Sequence, residues 1–258
     1  MDYQNTPSFY NNEDFFNQYL GCTSYYTSLQ NVVKKIIKIT DAYSVLELGS
    51  ALGTTTLAMA KEYPSIVFSG SDIRDDVVAQ ANEAAKEFDN VSFTQADMCE
   101  HVKSDALSKF DLIFLLYSFH HILDPLDNKI EFLKNCYTNM KAGSYLLITE
   151  TFLPENTEEI NENLQIKRLF EQRATEGYAS TFWSALNSIN EVEIAKKAAN
   201  VSLNEEMEAG RLVSERNEEY LVKFSWLVEV ARSCGFKAII AEPVNSIMEK
   251  ALLLQKVG

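Results

Sequence analysis

The sequence predicts an α/β fold: a doubly wound, mostly parallel seven-stranded sheet with an antiparallel last strand and a helical insertion. Three observations carry this reading. Strand and helix patterns alternate from residue 44 to 150, as they do where each parallel strand is followed by a crossover helix. A glycine turn joins the first strand to the first of these helices. The chain then closes on one amphipathic helix and two short strands separated by a short loop. With 258 residues, 46% of them hydrophobic, the chain is long and apolar enough for a core of that size.

Residues 1–40 are expected to form an N-terminal helical cap. Tyr3, Phe9, Tyr10, Phe15, Phe16 and Tyr19 lie among Asn, Gln, Ser and Thr, and Leu29, Val32, Val33, Ile36 and Ile37 then mark one helical face. The main domain, 41–258, opens with Ser44–Leu48 as a strand, Gly49–Gly53 as a turn, and Thr54–Tyr63 as a helix stopped by Pro64. Ile66–Asp72 is the second strand. Asp75–Phe88 is a helix with Val77, Val78, Ala81, Ala84, Ala85 and Phe88 on its buried face. Val91–Thr94 alternates as the third strand. Phe110–Tyr117 is the fourth, its apolar run suiting a central parallel strand covered on both faces. Leu126–Met140 is a helix with Leu126, Ile130, Leu133, Tyr137 and Met140 on one side, and Gly143 turns the chain into the fifth strand, Tyr145–Thr149.

Residues 151–219 break the alternation and read as a helical insertion. This stretch holds 14 Glu against 7 Lys plus Arg, half of the net charge of −14. A long insertion after a strand end is expected to act as a lid, with a homodimer interface as the alternative. Tyr220–Ala231 then reads as a helix, and Lys237–Ala241 and Lys250–Leu254 as an antiparallel closing pair.

The charge balance, 37 acidic against 23 basic residues, argues against binding a nucleic-acid backbone, which needs clustered Lys and Arg. No apolar run approaches the roughly 20 residues that span a bilayer, and the N-terminus lacks the basic and apolar regions of a signal peptide. The four cysteines, Cys22, Cys99, Cys136 and Cys234, are widely spaced and read as reduced thiols of a cytoplasmic protein. The expected partner is a small molecule, with neither membrane nor nucleic acid.

The chemistry concentrates at the carboxyl ends of the strands, where doubly wound sheets bind ligands. Gly49 and Gly53 permit a tight turn and close backbone approach. Asp72 ends the second strand, 19 residues after Gly53, where a carboxylate can accept hydrogen bonds from ribose hydroxyls. Asp97, after the third strand, can accept from an exocyclic amine. Each Asp alone fits a helix cap or a loop carboxylate equally well; the three features in order favour a nucleoside-containing cofactor.

In these features the sequence resembles the class I S-adenosylmethionine (SAM)-dependent methyltransferases, with their Rossmann-like sheet. The resemblance covers residues 44–150 well and extends loosely through the last helix and strands. It is carried by Glu47-Leu48-Gly49-Ser50-Ala51-Leu52-Gly53, where the family's middle glycine is Ala51. It implies SAM as cofactor, with Gly49, Ser50, Ala51 and Gly53 beside the methionine portion and Glu47 supporting the loop and the ammonium. It further implies Asp72 with Ile73 at the ribose, Asp97 with Met98 at adenine, and Tyr117 beside the methyl donor. An NAD enzyme is the competing cofactor reading; it would prefer a third glycine and leaves Asp97 unexplained.

The implied activity is methyl transfer to O, N or C of a small-molecule acceptor. Such transfer rests on proximity and alignment, with a base where the nucleophile carries a proton. His120 and His121, two of three histidines in the chain, follow the fourth strand, and Glu150 ends the fifth. All three are candidate catalytic residues. The alternative for the histidines is a packing element and for Glu150 a turn cap. Adjacent His120 and His121 with Asp124 would need an unusual loop to converge on a metal, and none is expected. Tyr178, Phe182, Trp183 and Arg173 of the insertion are the candidate substrate residues. A weaker similarity, to carboxy-S-adenosylmethionine synthase, rests on the glycine turn, Thr149–Phe152 and the insertion, and implies modification of the cofactor itself. A non-catalytic cofactor-binding protein is the third reading; the presence of Glu47, Gly49, Gly53, Asp72 and Asp97 argues against it.

Overall fold

The computed structural model describes residues 24–122, 126–153, 155, 221–244 and 249–258. One compact unit comprises Leu29–Glu155 and Tyr220–Gly258. The other, Met1–Ser28 and Asn156–Glu219, lies outside the described residues apart from Ser24–Ser28.

The elements in order are α1 (Ser24–Thr40), β1 (Ser44–Leu48), α2 (Thr54–Glu62), β2 (Val67–Asp72), α3 (Asp75–Ala85), β3 (Val91–Gln95), α4 (Met98–His101) and β4 (Leu112–Leu116). They continue with α5 (Leu126–Asn139), β5 (Tyr145–Thr151), α6 (Phe224–Ser233), β6 (Phe236–Pro243) and β7 (Glu249–Lys256). Seven strands form one sheet in the order β3-β2-β1-β4-β5-β7-β6. Strands β1 to β5 run parallel to one another, and β7 runs antiparallel to both β5 and β6. The reversal of strand order lies between β1 and β4, the place where doubly wound sheets form a ligand crevice at the carboxyl edge.

Alternation along the strands builds two cores. On one face α1 and α2 cover Val45, Phe68, Leu112, Phe114, Leu147 and Leu253. On the other, α5 and α6 cover Leu46, Leu48, Ile113, Leu115, Ile148 and Leu252. Strand β4 is buried on both sides through Leu112–Leu115; each such side chain is worth about 1.5–3 kcal/mol of burial. At the opposite edge from the crevice, Asp111 accepts from Tyr43 N and Ser44 N, both at 2.9 Å, and so aligns the starts of β1 and β4.

Several expected boundaries shift. Thr151, expected to open the insertion, is the last residue of β5, and Phe152 and Leu153 are buried beyond it. The backbone N–H of Leu153 donates to Val222 O at 3.0 Å, so the chain leaves and re-enters this unit side by side. Helix α6 begins at Phe224, because Val222 and Lys223 are drawn into that junction. Ala84 is exposed, because the face that α3 buries is formed by Val77, Val78, Ala81 and Ala85. In α5 the buried stripe is Lys129, Phe132, Leu133 and Cys136, with Leu126, Ile130 and Tyr137 only partly covered. The helix is rolled so that a lysine faces inward, which an apolar-periodicity argument does not allow for.

Candidate active site

The glycine turn is built by hydrogen bonds and close packing. The N–H groups of Gly49 and Ser50 both donate to Ser71 O, at 2.8 and 2.9 Å, and Gly53 N–H closes back on Ser50 O at 2.8 Å. Gly49 and Gly53 have φ of +74° and +72°, a region that penalises other residues. Space enforces the same choice: a Cβ on Gly53 would lie 2.4 Å from the Phe93 ring, and one on Gly49 2.6 Å from Ser118 Cβ. Ala51 stands where the resembling family has its middle glycine and still adopts a left-handed φ of +46°. Its N–H donates to Asp72 Oδ2 at 2.8 Å, and this bond holds a conformation that alanine disfavours by about 1–2 kcal/mol.

Asp72 is thus a structural partner of the turn as well as a half-buried acceptor at the sheet edge. Its Oδ1 accepts from Arg74 N at 3.0 Å. Burial raises its carboxyl above the usual range, opposed by the backbone donors of Arg74 and Ala51 and by the Arg74 charge. Ile73 next to it is an exposed apolar side chain. Asp97 is exposed and caps α4, accepting from Cys99 N at 2.7 Å. The Met98 side chain reaches back toward Gly49.

Glu47 lies buried beneath the turn and accepts from the Thr56 hydroxyl on α2. Burial pushes its carboxyl from 4.5 up to about 8, against the lowering effect of the bonds from Thr56. A buried carboxyl of this kind would be charge-balanced by a ligand ammonium. Ser50 Oγ is buried with no hydrogen-bond partner among the described residues. A buried acid, an orphaned hydroxyl, a half-buried Asp72, an exposed Ile73 and a glycine-lined backbone suit the amino acid, ribose and base of SAM.

Past β4 the chain turns sharply at Tyr117, whose φ is +51° and whose N–H donates to Thr149 O at 2.9 Å. Ser118 Oγ donates to Leu48 O at 3.0 Å and fills the space above Gly49, linking the glycine turn to the following 3-10 turn, Phe119–His121. On that turn His120 meets Glu150 of β5. Glu150 Oε2 accepts from His120 N at 3.1 Å and lies 3.0 Å from ring Nδ1, while Oε1 accepts from Thr151 N at 2.7 Å. Burial would raise the Glu150 carboxyl, but the His120 charge and these hydrogen bonds outweigh it and hold it below its usual 4.5. The His121 ring lies 4.1 Å from that of His120, centroid to centroid. It keeps solvent access although protein crowds it on most sides. That crowding, then His120 and Lys129, holds its imidazole well below the usual 6.5.

The structure therefore brings together Glu47, Gly49, Ser50, Ala51, Gly53, Asp72 and Tyr117 around one edge, with Met98 beside them and the His120–Glu150 pair at the ends of β4 and β5. Arg173, Tyr178, Phe182, Trp183 and Asp124 lie outside the described residues. Two residues near the site escaped sequence reasoning. Lys129 is fully buried beneath the histidine turn, and its inward direction leaves no trace in a polar stretch of helix. His101, 3.3 Å by Nδ1 from Ser71 Oγ, sits on a single-turn helix that has no periodic signature.

Comparison with known proteins bears on the family and the fold. A family model described as a methyltransferase domain matches residues 39–208. The chain is 30% identical over 112 residues to caffeic acid 3-O-methyltransferase of Capsicum annuum, covering 43% of this chain and 28% of that protein. It is 36% identical over 75 residues to release factor glutamine methyltransferase of Aliivibrio fischeri, covering 28% and 26%. These matches span only about a quarter of the length of each relative. In fold it resembles human N-acetylserotonin methyltransferase, solved in complex with SAM, with a TM-score of 0.52 and 17% identity over 85% of this chain and 49% of that one. On the extent of the family match, the chain belongs to the methyltransferase domain family.

Proposed function

We propose that this protein is a SAM-dependent methyltransferase acting on a hydroxyl of a small-molecule acceptor. The observation that carries the reading is the adjacency of two machines: a nucleoside-fitting glycine turn with Asp72, and a His120–Glu150 pair joined to it through Ser118. The partial identity to a caffeic acid 3-O-methyltransferase favours oxygen, and an aromatic acceptor, over the other atoms.

When bound, SAM supplies a sulfonium methyl group; the carbon–sulfur bond breaks as the carbon–oxygen bond forms, leaving S-adenosylhomocysteine. The protein's part is placement and proton removal. The glycine turn and the carboxylates of Glu47, Asp72 and Asp97 hold the donor. The histidine turn faces the acceptor, and His121 or His120 takes the hydroxyl proton. The low-lying imidazole of His121 is neutral at physiological pH, as a base must be. Glu150 fixes the His120 ring and stabilises the imidazolium when it forms. The candidate substrate residues Arg173, Tyr178, Phe182 and Trp183, and a lid role for the insertion, belong to this proposal.

The test is incubation of the full chain with methyl-labelled SAM and a panel of hydroxylated aromatic compounds, read by mass spectrometry. The expected result is an acceptor heavier by one labelled methyl group and one equivalent of S-adenosylhomocysteine. Binding of SAM with no transfer to any hydroxylated acceptor would overturn the oxygen assignment.

A further inference from the structure

We propose that Lys129 is the positioning residue of the histidine turn: its side chain, hydrogen-bonded to the two carbonyls that bracket His120 and His121, sets the orientation of both rings. The inference rests on the role given to those histidines above, and it adds a third element that neither the glycine turn nor Glu150 supplies.

The geometry is specific. Lys129 is fully buried on α5, where a lysine is rarely found without dedicated partners. Its Nζ donates to Phe119 O at 2.7 Å and to Ile122 O at 2.5 Å, and it lies 4.7 Å from the Phe119 ring centroid. Phe119 and Ile122 stand on either side of His120-His121. From β5, Glu150 grips the turn by the His120 N–H and ring; from α5, Lys129 grips it by the carbonyls. A short 3-10 turn has few bonds of its own, so these two side chains decide how it is presented. Burying an ammonium costs several kcal/mol. A methionine or leucine would fill the same core position beside Phe132 and Leu133 without that cost, so the amine is retained for what it bonds.

Charge adds to shape. Among the described residues, the titratable groups facing Lys129 are Glu150 of β5, Cys99 of α4, and His121 of the turn. Burial brings the amine from 10.5 down to about 7, against the attraction of Glu150. While protonated it opposes protonation of the neighbouring imidazole and supports the ionised Glu150.

The experiment uses histidine ring NMR on the full chain, which has only three histidines, His101, His120 and His121. Lys129→Met removes both bonds and the charge at similar volume. Positioning requires opposite movements. The His120 midpoint falls, by roughly half a pH unit or more, because its ring slips from Glu150, while the His121 midpoint rises as a positive charge leaves. His101, on α4, stays unchanged as the internal control. Lys129→Gln keeps a donor, so its His120 midpoint falls less while that of His121 still rises; it is the variant read if Lys129→Met does not fold. A His120 midpoint equal to wild type in the folded variant overturns the proposal, and a rise of both rings would assign Lys129 a charge effect without positioning. The readout needs no turnover, so failure of the methyl-transfer reading, seen as absent SAM binding by wild type, remains separate.

Discussion

Glu150 holds His120 with one oxygen at two points: Oε2 accepts from the backbone N–H at 3.1 Å and sits 3.0 Å from ring Nδ1. The first contact fixes the turn and the second fixes the ring, so one carboxylate from β5 sets both where the imidazole stands and which nitrogen faces outward.

Replacing Glu150 by Gln should therefore change stability in a pH-dependent way. The native carboxyl is held below its usual 4.5, since the His120 charge and the hydrogen bonds outweigh burial. A lowered native value means stabilisation that is present above 4.5 and lost as pH falls through 4.5 toward the native value. Urea unfolding should show Glu150→Gln less stable than wild type at neutral pH by about 1–3 kcal/mol, with the gap closing in acid. A gap that persists unchanged in acid would contradict the assignment.

Glu47 carries the opposite sign. Its native carboxyl lies at about 8 because burial outweighs the bonds from Thr56. The folded protein keeps a proton that the unfolded chain sheds above 4.5, so stability should decline as pH rises from 4.5 toward 8 and flatten beyond. Glu47→Gln should remove that slope. If the SAM ammonium pairs with Glu47, binding should release a proton near neutrality. Calorimetry in buffers of different ionisation heat would detect this in wild type and not in Glu47→Gln.

The glycine turn separates two kinds of constraint. Gly53→Ala should destabilise by about 1–3 kcal/mol and weaken SAM binding strongly, because its Cβ meets the Phe93 ring at 2.4 Å and its φ is +72°. Ala51→Gly should relieve a left-handed alanine, offset by the greater unfolded-state entropy of glycine, and shift stability by less than about 1 kcal/mol. Thermal melts of the two variants test both; equal losses would contradict this account of the turn.

Among the histidines, His121→Ala is expected to lower turnover by about 10²–10⁴ if His121 is the base, with cofactor affinity kept. Once an acceptor is in hand, single-turnover rates of His120→Ala and His121→Ala separate the base from its neighbour. Activity of both variants within a factor of about three of wild type would remove the histidines from proton transfer.

Much of this was legible in the sequence, for identifiable reasons. Buried parallel strands such as Leu112–Leu116 announce themselves as apolar runs, and Gly49 and Gly53 as residues needed at positive φ, so the carboxyl edge could be located before its contacts were known. Glu150 and His120 were placed at two strand ends, but their pairing depends on β4 lying beside β5 in register, a relation no local pattern contains. Lys129 was missed because helical periodicity assigns a lysine to solvent; only the roll of α5 turns it inward. Asp72 was legible as an acceptor, whereas its grip on Ala51 N–H follows from the shape of the turn.

That last contact makes Asp72 the sharpest point of attack on the central claim, that the glycine turn is a SAM site. Calorimetric titration of the wild-type chain with SAM should show saturable binding at one site. Asp72→Ala, which loses both the proposed ribose acceptor and the Ala51 bond, should bind at least about tenfold more weakly, a cost of about 1.4 kcal/mol. Absence of SAM binding by the wild type, or unchanged affinity in the variant, would contradict the account.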